Sequence, residues 1–172
     1  MTEIRTPSYL PQTEGQKLEE FFQRTRLGWI DYRTARDLIR LSGLEEDSET
    51  LYPLLLALFL SLNEGSLCLP LTEERLTDRL SVIVPQDLVG TMTEKILEGL
   101  NKRRWNTLIG EGSEGFIPLR IHSEGAQRFL YFQKYHAKEK QLAENFGKLL
   151  DFPPEEVDVE QVQKILLETL EE

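Results

Sequence analysis

Residues 54–71 read LLLALFLSLNEGSLCLPL, an apolar run that enters Asn63-Glu64-Gly65 and leaves as a short alternating segment around Cys68. The first part predicts a helix that is apolar nearly all round, and such a helix belongs at the centre of a domain, covered by others. Gly65 predicts its stop. Ser66–Leu71 then predicts a short, buried exit strand. Core helix, glycine stop and exit strand follow one another within a single stretch.

Upstream, residues 15–27 predict a helix with Leu18, Phe21, Phe22 and Thr25 on one face, stopped by Gly28. Asp31 is placed to cap a second helix with the face Tyr32, Ala35, Leu38 and Ile39, ended by Gly43. Ser48 or Thr50 is placed to cap the central helix, with Pro53 in or near its first turn, where a missing N–H costs little. Glu45-Glu46-Asp47 reads as a solvated loop.

Downstream, Thr72-Glu73-Glu74 starts a short helix to about Leu80, its acids suited to the N-terminal dipole. Pro85 and Asp87 open another, with Val89, Met92, Ile96 and Leu100 as its stripe; Gly90 weakens it. Residues 110–115 read as a loop. Ile117–Ile121 and Arg128–Phe132 read as two strands joined by Ser123-Glu124-Gly125-Ala126, a hairpin. A helix over Gln133–Leu150 follows at once, with Tyr135, Leu142, Phe146 and Leu149 on one face. Asp151-Phe152-Pro153-Pro154 breaks the chain, and Asp158 is placed to cap a last helix, Val159–Leu170.

The expected class is therefore mainly α (α+β): a helical domain with a small β-hairpin and a short exit strand. Residues 1–14 read as a flexible leader, 15–150 as the helical domain and 151–172 as an acidic linker and helix. A chain of 172 residues with 40% hydrophobic content suits one domain with a real core and argues against disorder. One cysteine excludes an internal disulfide framework and fits a reducing, cytoplasmic compartment. Leu51–Leu62 is too short to span a membrane, and no hydrophobic signal core opens the chain.

The net charge of −10 is unevenly spread. Residues 151–172 carry −7 of it, which leaves −3 for residues 1–150. A duplex-binding domain presents a basic field, because phosphate neutralisation supplies much of the affinity. The balance here favours a protein partner over bare nucleic acid.

Candidate sites are few. Cys68, His122 and His136 stand too far apart in sequence to form a metal motif, so no metal site is expected. Phosphate-binding glycine loops are absent from the sequence, as is any recognisable nucleophile setting. No enzyme activity is expected. Lys102-Arg103-Arg104-Trp105 leaves two readings open. Either the cations complete a helix C-terminus and Trp105 folds into the core, or the group contacts single-stranded nucleic acid by charge and stacking. Phe129, Tyr131, Phe132, Lys134 and Tyr135 pose the same choice. Trp29, just past a glycine, is a candidate partner contact. Gln161 stands three residues after Asp158, a capping-box position.

The ordered set of segments resembles the N-terminal domain of the RecD family, the alpha subunit of exodeoxyribonuclease V. Asn63-Glu64-Gly65-Ser66-Leu67-Cys68-Leu69-Pro70-Leu71 is similar to the family's "GEGHVCLPL"-like turn. Ile30-Asp31-Tyr32-Arg33-Thr34-Ala35 resembles its "LD-x-x-x-A" helix start. Arg128-Phe129-Leu130-Tyr131-Phe132, with Tyr135 and Glu139, resembles its "RLYL…W…E" signature. The resemblance implies a non-catalytic docking domain that holds a helicase motor to a RecC-like subunit in bacterial double-strand-break repair, meeting DNA only indirectly. It implies ATP and Mg in the parent and none in this chain, which ends at Glu172, where the motor's first strand is expected. It also implies that Gln161 would lie near adenine if the motor were present, although Lys164 replaces the alanine usual after that glutamine.

Overall fold

A computed structural model describes residues 16–111 and 116–150. By internal contact the chain divides after His136 into two units. The first holds α1 (Gln16–Thr25), α2 (Trp29–Leu41), α3 (Ser48–Asn63), β1 (Cys68–Pro70), α4 (Glu73–Ile83), α5 (Val89–Asn101), β2 (Ile109–Glu111), β3 (Leu119–Glu124), β4 (Gln127–Phe132) and the start of α6 (Gln133–Leu150). The protein is mainly α with a small sheet, as its periodicity predicts. Among the described residues, no helix is long and apolar enough to cross a membrane.

The central position of α3 follows from its composition. Every residue from Leu51 to Ser61 is buried, so no side of the helix faces water. Accordingly it packs against α2, α4, α5 and β1. Ser61 lies in this apolar helix because its hydroxyl donates to the Ala57 carbonyl at 3.1 Å, which satisfies a buried polar group locally. At the C-terminus the chain turns in the left-handed region at Gly65 (φ 89°). The Gly65 N–H donates to Leu62 O, and the Ser66 N–H to Ser61 O. This pair of bonds closes the orphan carbonyls and aims the chain into β1.

Several local expectations are corrected. Pro53 is the sixth residue of α3, buried beyond the first turn. A 3-10 turn, Glu45–Asp47, winds directly into the helix, and neither Ser48 nor Thr50 is its cap. Asp31 is not the first capping residue of α2 either. The helix starts at Trp29, and Gly28 is its N-cap. Asp31 sits on the third helical position, where its carboxylate accepts the Gly28 N–H at 2.8 Å, and its own N–H donates to Gly28 O. Position and partner make this half of a capping box, with glycine supplying only backbone. Replacing Asp31 by alanine is expected to cost about 1 kcal/mol, the usual worth of a cap. Thermal denaturation should register it as a fall of roughly 2–4 °C; an unchanged melting temperature would mean the bond contributes nothing.

The helices α4 and α5 form where read but with other ends: α4 runs past Leu80 to Ile83, and α5 begins at Val89 with Leu88 as its N-cap, not at Pro85 or Asp87. Thr72 caps α4 by accepting the Arg75 N–H. The stripe Val89, Met92, Ile96 and Leu100 of α5 is buried throughout.

The four strands lie in the order β1-β4-β3-β2. β1 and β3 flank β4 antiparallel, and β2 runs parallel to β3. Gly125 takes the left-handed turn of the β3–β4 hairpin (φ 59°). Leu69, Leu119, Ile121 and Leu130 join the core cluster, and Phe132 packs against it. Phe132 meets Phe59 of α3 with ring centroids 5.2 Å apart. The strand β2 occupies Ile109–Glu111, so Gly110 and Glu111 are sheet rather than loop. Three residues are too few for an alternating pattern to show, and β3 supplies the pairing that makes them a strand.

The second unit is described over residues 137–150, the remainder of α6. Its bounds match the periodicity. Of the face read for it, Leu142 and Phe146 are exposed. The leader, residues 1–14, and the final helix lie outside the described residues.

Candidate functional site

Two turns meet at one end of the first unit. The α1–α2 turn passes through Arg26 in the left-handed region (φ 56°). The α3–β1 turn carries Asn63. The Asn63 amide donates to Arg26 O at 3.3 Å and to the Asp31 carboxylate at 3.2 Å. One side chain thereby ties the two turns together. Glu64 in the same turn is ion-paired with Arg79 of α4.

Trp29 opens α2 at this end. Its ring stacks on Tyr32 with centroids 5.8 Å apart and planes 19° apart, and meets Phe22 edge-on. The inner partners belong to the core, yet Trp29 itself is 41% exposed. Ile30 beside it is 76% exposed, and Leu41 at the other end of α2 is 79% exposed. An indole braced by two rings and open to solvent has little side-chain entropy to lose on contact, which suits a partner site.

Arg103, Arg104 and Trp105 sit at the end of α5. The chain leaves the helix through Arg103 in the left-handed region (φ 52°). The Arg103 N–H donates to Leu100 O and the Arg104 N–H to Gly99 O. Lys102 bonds the Glu98 carboxylate, and that hydrogen bond, with the attraction of the ammonium, holds Glu98 below the ordinary glutamate range. Arg103 pairs with Glu111. Arg104 reaches Asp47 at 2.6 Å. Trp105 folds inward to 2% exposure. Trp105 therefore lies in the core, while the three cations engage carboxylates rather than the helix-end carbonyls. The far end of its benzo ring lies against Gly99, and the buried ring presents no stacking face to solvent. Among the aromatics of β4, Tyr131 is buried and Phe129 half-buried, so a continuous stacking surface is not built there either.

Cys68 is half-buried on β1, opposite Tyr131. His122 and His136, the two histidines of the chain, come together although their sequence positions gave no sign of it. The hairpin returns the chain so that His136, in the first turn of α6, lies over His122 of β3 with ring centroids 5.3 Å apart. Tyr131 sits edge-on to both. Among the described residues, no group of three metal-ligating side chains forms. A shallow cleft between the end of α5 and β2 is lined by Leu100, Arg103, Trp105, Asn106, Glu111 and Ile117, among others. Gln161 lies outside the described residues.

Comparison with known protein families, curated proteins and solved structures returns no match.

Proposed function

We propose that this chain is the N-terminal docking domain of a RecD-type helicase subunit, and that it holds the subunit to a RecC-like partner. It performs no chemistry in this reading, binds no cofactor of its own, meets DNA only through the assembled complex and works in the bacterial cytoplasm.

One observation carries the reading. The three segments behind the family resemblance lie far apart in sequence but form one connected unit. Asp31, from the first, accepts a hydrogen bond from Asn63, which opens the second. β1, from the second, pairs with β4, from the third, in the register Cys68–Tyr131, Leu69–Leu130 and Pro70–Phe129. A chance likeness has no reason to fall on segments that support one another. Segments that jointly define a fold are also where a family resemblance is expected to persist.

Isothermal titration of the chain with the RecC-like subunit from the same genome tests the proposal. The expected result is one-to-one binding at micromolar affinity or tighter. Absence of binding by the folded chain would overturn it. Salt-sensitive binding to single-stranded DNA, weakened by Arg103→Ala and Arg104→Ala, would favour a nucleic-acid-binding module instead.

A further inference from the structure

The solvent face of α2 is organised as two parallel ridges. At about 100° per residue, Ile30, Thr34, Asp37 and Leu41 fall on one line of the helix, with Ile30 and Leu41 within about 20° of each other. Trp29, Arg33, Arg36 and Arg40 fall on the next line, roughly 100° to one side. The opposite face, Tyr32, Ala35 and Ile39, is buried. One ridge therefore ends in two exposed aliphatic anchors, about 16 Å apart at 1.5 Å per residue. Its neighbour is an exposed indole followed by three guanidinium groups.

The charge on this helix is locally positive. α2 holds three arginines and two aspartates, within residues 1–150 of net charge −3. Both aspartates already have partners. Asp31 is engaged with Gly28 and Asn63, and Asp37 lies 3.5 Å from Arg40. Exposed aliphatic side chains beside an arginine row suit a docking face, because apolar anchors supply the contact and arginine supplies orientation and fast association.

We propose that α2 is the docking helix, and that its partner is a protein groove with two apolar pockets flanked on one side by acidic residues. Ile30 and Leu41 enter the pockets. Arg33 and Arg40 meet the acidic rim, and Trp29 closes the end of the contact. This is helix-in-groove recognition, with anchors spaced by whole turns. It rests on the docking reading above and names the face that the reading leaves open.

Binding of the RecC-like subunit to the folded chain, by titration calorimetry and by surface kinetics at several salt concentrations, tests it. Three variants are compared: Ile30→Asp with Leu41→Asp, Arg33→Glu with Arg40→Glu, and Phe116→Asp as a control at an exposed residue of another segment. The aspartate pair is expected to weaken binding about 30-fold or more. The glutamate pair is expected to slow association roughly tenfold and flatten its salt dependence. Phe116→Asp should bind as the unmodified chain does. All five positions are solvent-exposed, and circular dichroism confirms that each variant is folded. Normal binding by the aspartate pair would overturn the α2 proposal while leaving the docking function in place. If the unmodified chain fails to bind, the docking function falls and this proposal with it. A homodimer that the aspartate pair dissociates would assign the face to a second copy and equally overturn it.

Discussion

Substituting alanine at Gly99 is expected to destabilise the protein, although the residue lies inside a helix where alanine ordinarily helps. Glycine costs a helix interior about 1 kcal/mol relative to alanine, so propensity alone predicts a gain of that size. Packing opposes it. A Cβ at position 99 would lie 2.4 Å from Cη2 and 2.6 Å from Cζ2 of Trp105. Those atoms belong to a rigid ring that is 2% exposed, not to the end of a flexible side chain. Either the indole or the α5 backbone must move. Overpacking of this kind costs about 1–3 kcal/mol. Expulsion of the ring approaches the roughly 3–5 kcal/mol of a tryptophan truncation. Packing therefore outweighs propensity, and the melting temperature should fall by several degrees, at roughly 2–4 °C per kcal/mol. Adding Trp105→Leu should recover part of the loss, because the smaller side chain leaves room for the methyl group. In a Trp29→Phe background, Trp105 is the remaining tryptophan, and its emission, excited selectively at the red edge of the absorption, should shift to the red if the ring is expelled. A melting temperature above that of the unmodified protein would show that the contact is not built as described.

This contact also shows what the amino-acid sequence could and could not disclose. A tryptophan after three cations is compatible with a surface platform and with a core residue. The deciding fact is a glycine six residues earlier, whose missing side chain makes the slot. Periodicity alone was enough for α3, because a helix with no polar side has only one place to go. It was enough for α5, whose stripe is continuous. The hairpin was legible from Gly125, although Ser123 and Glu124, read as part of the link, extend β3 and leave Gly125-Ala126 as the turn.

Elsewhere a distant partner makes the decision. β2 is a strand because β3 lies beside it. The anchoring role of Asp31 depends on Gly28 before it and on Asn63 at the far end of α3. The meeting of His122 and His136 needs both the hairpin return and the immediate start of α6. The apolar line of α6 obeyed helical spacing yet Leu142 and Phe146 are exposed, since spacing says which residues share a face and not what covers it. For the candidate site, Trp29 was open to view as an aromatic after a glycine. The ridges of α2 were obscured because Tyr32, Ala35 and Ile39 explain the helix adequately on their own.

Leucine-to-alanine exchanges at positions 55 and 41 separate fold from function most directly. Leu55 is fully buried at the centre of α3, and Leu41 is 79% exposed at the end of α2. The same three carbon atoms are removed in each case. At Leu55 the loss includes the transfer free energy of the side chain and the cavity left in a helix packed on all sides, about 2–5 kcal/mol. The helices and strand around α3 limit the collapse that would fill the void, so the upper half of that range is expected. Thermal denaturation should show a fall of roughly 8–20 °C. At Leu41 little contact is lost within the molecule, and the change should stay within about 0.5 kcal/mol. Partner binding should reverse the order. Under the proposed docking function, Leu55→Ala, measured below its lowered melting temperature, should bind the proposed RecC-like partner nearly as well as the unmodified chain does. Leu41→Ala should bind several-fold more weakly with its stability intact. A Leu41 variant that loses as much stability as the Leu55 variant would place that side chain in the core and remove it from the docking ridge. Equal stability of the Leu55 variant and the unmodified chain would deny α3 its central position, on which both the fold and the mounting of α2 depend.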